Sequence, residues 1–263
     1  MGIIFYEHEH CEKILAEGVD RITQRDLNYL AKYWDHHGET PSQIRKNLIQ
    51  FCMDNDKYFN EIQSRQKLRR ALSQAKNYKL RFPNPIVITK SEISAIESLN
   101  NYKYEKFLFV MLVVARFFKE HRSKKIIHEN SYDSHLYSNA SMKDIKDIAG
   151  IAMTYKEWDV LKHDLTVDAL ISPTRMGGKC WNIGFNHPDD APAMVISDYR
   201  NIVAYYQEYK GEDMMECAIC GVKTVKRSNR HKYCNSCWKE YRKEQNRKNV
   251  KKMRDNMFKS PIE

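Results

Sequence analysis

The stretch CAICGVKTVKRSNRHKYCNSC, residues 217–237, holds two Cys-x-x-Cys pairs, Cys217/Cys220 and Cys234/Cys237, with thirteen residues between them. A two-residue gap lets both sulfurs of a pair reach one ion. Four soft thiolates in tetrahedral array suit Zn(II) better than any hard cation. One zinc ion is therefore the expected cofactor, with Cys217, Cys220, Cys234 and Cys237 as its ligands. Gly221 directly after the first pair permits a tight knuckle. The spacer is long enough for a β-hairpin, and Val222 to Val225 alternates as a strand would. The second pair runs straight into Trp238, Lys239, Glu240 and Tyr241, a helical start. His231 offers a substitute ligand, although a histidine in so basic a loop reads better as a surface residue. A module this small cannot bury a self-sufficient core, so the metal is expected to supply folding energy on the order of 10 kcal/mol.

Charge works outward from the same stretch. From Cys217 to Glu263 there are 14 Lys+Arg against 4 Asp+Glu, whereas the whole chain has 44 against 34. Residues 1 to 216 are therefore balanced, and the entire surplus sits at the C-terminal end. Lys239, Lys243, Arg247 and Lys251 recur every four residues and draw a drifting cationic stripe on a helix. Arg242, Lys248 and Lys252 thicken it, and Lys223, Lys226, Arg227, Arg230 and Lys232 charge the spacer. Trp238 and Tyr241 lie off the stripe and are expected to pack back onto the module. Such a cationic helix beside a metal-clamped knuckle predicts a polyanionic partner, with double-stranded DNA first.

The remaining residues read as mainly α-helical. Thr23 with Asp26, and Thr40-Pro41 with Gln43, open helices with capping chemistry. A third stretch, from Asp56 to about Lys79, places Phe59, Ile62, Leu68, Leu72 and Ala75 on one face. Phe82-Pro83-Asn84-Pro85 breaks the pattern and marks a boundary. Phe107 to Ala115 is the most apolar run, but it falls far short of the roughly 20 residues a membrane span needs. It reads as a buried helix within Tyr102 to Glu120. No basic, apolar leader opens the chain. Cys11, Cys52 and Cys180 read as small buried hydrophobes, not as a disulfide framework, so a cytoplasmic setting is expected. Three domains follow: 1–81 helical, 82–212, and 213–263.

In the middle domain, Ser141 with Asp144 and Thr154 with Glu157 cap two short helices. Strand-like Ala169 to Ser172 and Cys180 to Phe185 then flank a turn containing Gly177-Gly178. Around the core SMKDIKDIAGIAMTYKEWDVLKHDLTVDALIS (residues 141–172), residues Tyr102 to Phe185 resemble a winged helix-turn-helix domain. That resemblance implies a recognition helix at Tyr155 to Thr166, offering Lys156 and Lys162, and a wing tip at Arg175 to Lys179 with Arg175 and Lys179 facing DNA. Glu157, Asp159 and Asp164 nearly balance the charge of that helix. The C-terminal knuckle, hairpin and helix resemble a treble-clef finger. The whole chain resembles uncharacterised proteins of bacteriophages and mobile elements, a family that implies a bacterial host cell but no activity.

Enzymatic motifs are wanting: there is no phosphate-binding glycine loop, nucleophile elbow or His-Glu-x-x-His helix. Asp35-His36-His37 closes a helix, not a strand. His128-Glu129-Asn130 and His187 with Asp189-Asp190 lack a catalytic context. The expectation is a non-enzymatic, zinc-containing DNA-binding protein acting in replication initiation or transcription control. Two alternatives stand beside it: a factor that binds a host protein, and an RNA-binding finger. Neither a membrane nor a small-molecule substrate is expected.

Overall fold

The computed structural model describes residues 3–120, 137, 138, 140–173, 181–188 and 190–257. Arg175, Lys179, Cys180, Asp189 and residues 128–130 lie outside them. The protein is mainly α-helical, with ten α-helices and three small antiparallel sheets among the described residues. It forms two compact units, Met1–Tyr199 and Arg200–Glu263.

The first unit begins with four helices: α1 (Glu7–Glu17), α2 (Gln24–His36), α3 (Pro41–Asn55) and α4 (Glu61–Asn77). Reciprocal capping boxes start α2 at Thr23/Asp26 and α3 at Thr40/Gln43. Leu27, Leu30 and Ala31 of α2 meet Ile44, Leu48 and Cys52 of α3 and Leu68, Ala71 and Ala75 of α4, each set at helical spacing. α4 starts later than its sequence suggests. Asp56 ends α3 and its carbonyl accepts from the Phe59 amide at 2.9 Å, and Asn60 then caps α4 by accepting from the Gln63 amide at 3.1 Å. Ile62 consequently falls in the first turn on the outer face, 84% exposed, and not in the core.

α1 has no side-chain cap, which is why its sequence is silent. It is held instead by Glu7, a fully buried carboxylate paired with Lys32 of α2 and accepting from the Arg81 amide at 3.0 Å. Gly18, at φ 73°, closes α1 where an added Cβ would sit 2.7 Å from the Asn55 amide oxygen. That oxygen is engaged by the Val19 amide at 2.8 Å, so the turn has no room for a side chain.

Cys11 and Cys52 are buried in this core, and burial pushes their thiols up to about 12 and about 11. Their thiolate fraction at pH 8 is well below one per cent, so alkylation by iodoacetamide should be at least about 100-fold slower than for free cysteine and become fast in denaturant. Peptide mapping after timed labelling checks this. Modification of the native protein at the free-cysteine rate would contradict the buried placement.

The rest of the first unit runs β1 (Ile86–Thr89), α5 (Lys90–Glu97), α6 (Tyr102–Glu120), β2 (Tyr137–Ser138), α7 (Met142–Ala149), α8 (Tyr155–Val167), β3 (Ile171–Pro173), β4 (Trp181–Ile183) and β5 (Pro192–Ile196). Phe107 to Ala115 of α6 is buried throughout, as its sequence predicts for a core helix. Ser141 caps α7, Gly150 ends it in the left-handed region, and a Thr154/Glu157 capping box starts α8. β4 is the central strand of a three-stranded sheet, order β2-β4-β3, with Ile171 opposite Ile183 and Tyr137 opposite Asn182.

β1 pairs with β5 across more than a hundred residues of chain, Ile86 opposite Ile196. Of its two strands the sequence signals only β5, through Met194 to Ile196, because β1 follows the proline-rich break and is only four residues long. Its junction with α5 is built on Glu92. This fully buried carboxylate accepts from the amides of Thr89 at 3.0 Å and His187 at 2.8 Å, and it pairs with Arg116 of α6. Arg116 also donates to the Val87 carbonyl and, at 2.9 Å, to Asn186. One ion pair thus ties β1, α5, α6 and the loop before β5 together. Phe5 packs on Phe117 and Tyr199, and the Tyr6 hydroxyl accepts from the Tyr199 amide at 3.0 Å, which fastens the N-terminus into the same unit.

The second unit contains α9 (Val203–Tyr209), β6 (Met214–Glu216), β7 (Lys223–Val225) and α10 (Asn235–Met257). Its hairpin differs from the expected one. β6 precedes Cys217 and pairs with β7, Glu216 opposite Lys223, so the hairpin brackets the first cysteine pair and does not lie between the two pairs. Met214-Met215-Glu216 is too short and too irregular in polarity to announce itself as a strand. No described helix is long and apolar enough to cross a membrane.

Candidate metal centre

The β6–β7 hairpin turns through Cys217 to Gly221. The Cys217 amide donates to the Val222 carbonyl at 2.9 Å, and the Gly221 amide to the Cys217 carbonyl at 2.8 Å. Gly221 takes φ 68°, the left-handed turn that the knuckle requires. A further bond, from the Ala218 amide to the Lys232 carbonyl at 2.9 Å, draws the spacer back toward the knuckle. Cys234 sits just ahead of α10 and Cys237 lies in its first turn, with the Trp238 amide donating to the Cys234 carbonyl at 2.8 Å.

These local devices bring the four sulfurs within 4.8 Å of one another. Cys220 Sγ and Cys234 Sγ are 3.7 Å apart. Tetrahedral thiolates about 2.3 Å from one zinc would stand about 3.8 Å apart, so the spacing fits one metal ion. Among the described residues this is the sole group of three or more His, Cys, Asp or Glu so placed. His231 is not part of it; its Nδ1 accepts from the Arg227 amide at 3.2 Å.

The sulfurs do not titrate alike. Burial pushes the Cys217 thiol up, but the backbone amides around it outweigh that and hold it at about 6. Cys234 is raised by burial and brought below its ordinary value by Ser236, whose hydroxyl lies 3.2 Å away. Cys220 is raised by burial, and Cys237 by the neighbouring sulfurs of Cys220 and Cys234. Sulfurs this close cannot all ionise against one another, and a divalent cation between them removes the conflict.

The cationic residues fall into three groups. Lys239, Arg242, Lys243, Arg247, Lys248, Lys251 and Lys252 are exposed along α10, with Glu244 near Arg247 at 4.0 Å and Lys248 at 3.8 Å. Arg227, Arg230 and Lys232 are exposed on the spacer, but Lys223 is paired with Glu208 at 2.7 Å and Lys226 with Asp213 at 3.5 Å. On α8, Lys156 is exposed, whereas Lys162 is paired with Asp159 at 2.5 Å and lies over the Trp158 ring.

One further feature of the finger is not cationic. Tyr233, Trp238 and Tyr241 form a single aromatic group, Trp238 stacked on both tyrosines and the tyrosine rings tilted by 32° to each other, and Trp238 and Tyr241 remain 47% and 38% exposed. They pack together at the metal centre, but only Tyr233 is covered against the cysteines. No protein-family model, curated protein or solved structure matches the chain.

Proposed function

We propose that this chain is a zinc-containing DNA-binding protein of a phage or mobile element, acting in replication initiation or transcription control. The observation that carries the reading is the metal-fitting cysteine cluster joined to α10, a helix of 23 residues with seven exposed cations among those named above. In this reading Cys217, Cys220, Cys234 and Cys237 hold one Zn(II), whose role is to fix the knuckle against the first turn of α10. The helix then lies along phosphates, with Arg227, Arg230 and Lys232 gripping a second stretch.

The element order α6-β2-α7-α8-β3-β4 and the strand order β2-β4-β3 support a winged-helix reading of residues 102–185. The knuckle followed by a helix carrying the second cysteine pair supports a treble-clef-like reading of the finger. α8 would occupy the recognition slot, with Arg175 and Lys179 on the wing. Affinity in this reading resides in α10 and the finger, and sequence preference in the first unit.

The test is the salt dependence of duplex binding. With about six phosphate contacts, log Kd against log salt should have a slope of magnitude about 5, and neutralising Lys239, Lys243, Arg247 and Lys251 to Gln should reduce it to about 2. Fluorescence anisotropy on a labelled duplex between 50 and 200 mM salt reads both. An unchanged slope in the neutralised protein refutes the assignment.

A second reading rests on α8 itself. It exposes Tyr155, Val160 and Val167, and both Lys162 and Glu157 are already paired, the latter with Lys103 at 2.7 Å. Exposed apolar side chains set among charges that nearly cancel suit a host protein better than phosphate. Pull-down with α8 substituted at Tyr155 and Val160 would separate this role from DNA contact.

A further inference from the structure

The aromatic group on the finger has more exposed ring surface than its packing requires. Tyr233 and Trp238 have ring planes within 14° at 6.3 Å, Trp238 and Tyr241 within 24° at 5.9 Å, and Tyr233 and Tyr241 within 32° at 5.1 Å. Two stacked pairs and one tilted pair make a small aromatic plate, anchored through Tyr233 to the cysteines and open to solvent at Trp238 and Tyr241. The ring surface left exposed there is of a kind on which a nucleobase stacks.

What borders the plate identifies its occupant. At 100° per residue along α10, Arg242, Gln245, Lys248 and Lys252 continue the face begun by Trp238 and Tyr241. Glu240 falls on the far side, and Glu244 reaches round only to Arg247 and Lys248. The aromatic plate therefore opens onto a track of amide and cationic side chains some 20 Å long, at about 1.5 Å of rise per residue. This is a different face from the Lys239, Lys243, Arg247 and Lys251 stripe. A protein-docking surface would continue in aliphatic side chains, whereas rings followed by cations match bases followed by phosphates.

We propose that Trp238 and Tyr241 stack on an unpaired base of single-stranded DNA, whose backbone follows Arg242, Lys248 and Lys252. This rests on the DNA-binding reading and deepens it: the finger engages opened or unpaired DNA and not only the duplex. Base stacking on aromatic side chains is tolerant of sequence, so the preference is for strandedness, not for a base order.

The experiment uses the full-length, zinc-loaded protein with labelled dT20 and a labelled 20-base-pair duplex. Trp238→Ala with Tyr241→Ala should weaken dT20 binding about ten- to hundredfold and duplex binding less than about threefold. Trp238→Phe, which keeps a ring, should restore most of the loss. Equal weakening on both probes, or no weakening on dT20, overturns the proposal. A second readout does not depend on the alanine variants folding: dT20 should quench tryptophan emission in the wild-type protein, and Trp238→Phe should lose that component. Identical quenching in the two proteins also overturns it. If the wild-type protein binds neither probe with salt dependence, the DNA reading itself fails and the stacking role with it.

Discussion

Replacing Cys234 by serine should strip the protein of its metal and unfold the finger. The hydroxyl cannot ionise at neutral pH, so the site would offer three thiolates where the geometry provides four within 4.8 Å. The loss is large because little else holds this part of the chain. Its two strands are three residues each, and the cysteines themselves, with Tyr233, form its packed centre. Metal binding at such sites contributes on the order of 10 kcal/mol to folding, far more than the packing that remains. The expected result is a metal content below about 0.2 equivalents, against about one in the wild-type protein, with zinc as the metal. Amide hydrogen-exchange protection over residues 214–240 should disappear, while residues 24–77 keep theirs. Chelation of the wild-type protein should reproduce both effects. A variant that retains a full equivalent of zinc and its protection would refute the four-cysteine site.

The second large effect belongs to the first unit. Glu92→Gln should destabilise it by about 3–5 kcal/mol, because breaking a buried pair by neutralising one partner costs far more than the intact pair contributes. Arg116 has a side chain only 11% exposed and lies against the Val87 carbonyl and Asn186, neither of which carries a charge. Glu92 also serves two backbone amides, Thr89 and His187, so the carboxylate holds a helix start and a distant loop together. Urea melts of the full chain, followed by far-UV circular dichroism, measure the change. The Glu92→Gln, Arg116→Met double variant should recover part of the loss, since an apolar replacement of a buried pair can be nearly neutral. Recovery stays incomplete because the Val87 carbonyl loses its donor. A Glu92→Gln protein within 1 kcal/mol of wild type would show that the pair does not hold the unit.

These two sites were unequally visible in the sequence. The cysteine quartet declares itself, because ligand geometry imposes a fixed spacing on the chain. Glu92 stands three residues after Thr89, a spacing that signals a capping box and nothing more. Its pairing with Arg116 and its bond to His187 could not be read, since nothing in the chain between them links residues 92, 116 and 187. The aromatic plate was half legible: Trp238 and Tyr241 stand three residues apart on a helix, but the addition of Tyr233 and the exposure of the rings follow from how the spacer folds back. Ile62 stands outside the core because α4 starts at its Asn60 cap and not at Asp56, from which the apolar spacing alone would begin it.

The sequence by itself determined the features whose cause lies within a few residues: the caps at Thr23, Thr40, Ser141 and Thr154, the buried helix through Phe107 to Ala115, the two cysteine knuckles and the concentration of cations after Cys217. Each is set by a side chain acting on backbone or on an ion within about one turn. Only the tertiary structure decided the pairing of β1 with β5, the placement of β6 ahead of the knuckle, the burial of Glu7 and Glu92 with their cationic partners, and which cations of the finger are engaged by acids. Those outcomes depend on segments as much as a hundred residues or more apart competing for the same packing partners, and local pattern carries no information about which of them wins.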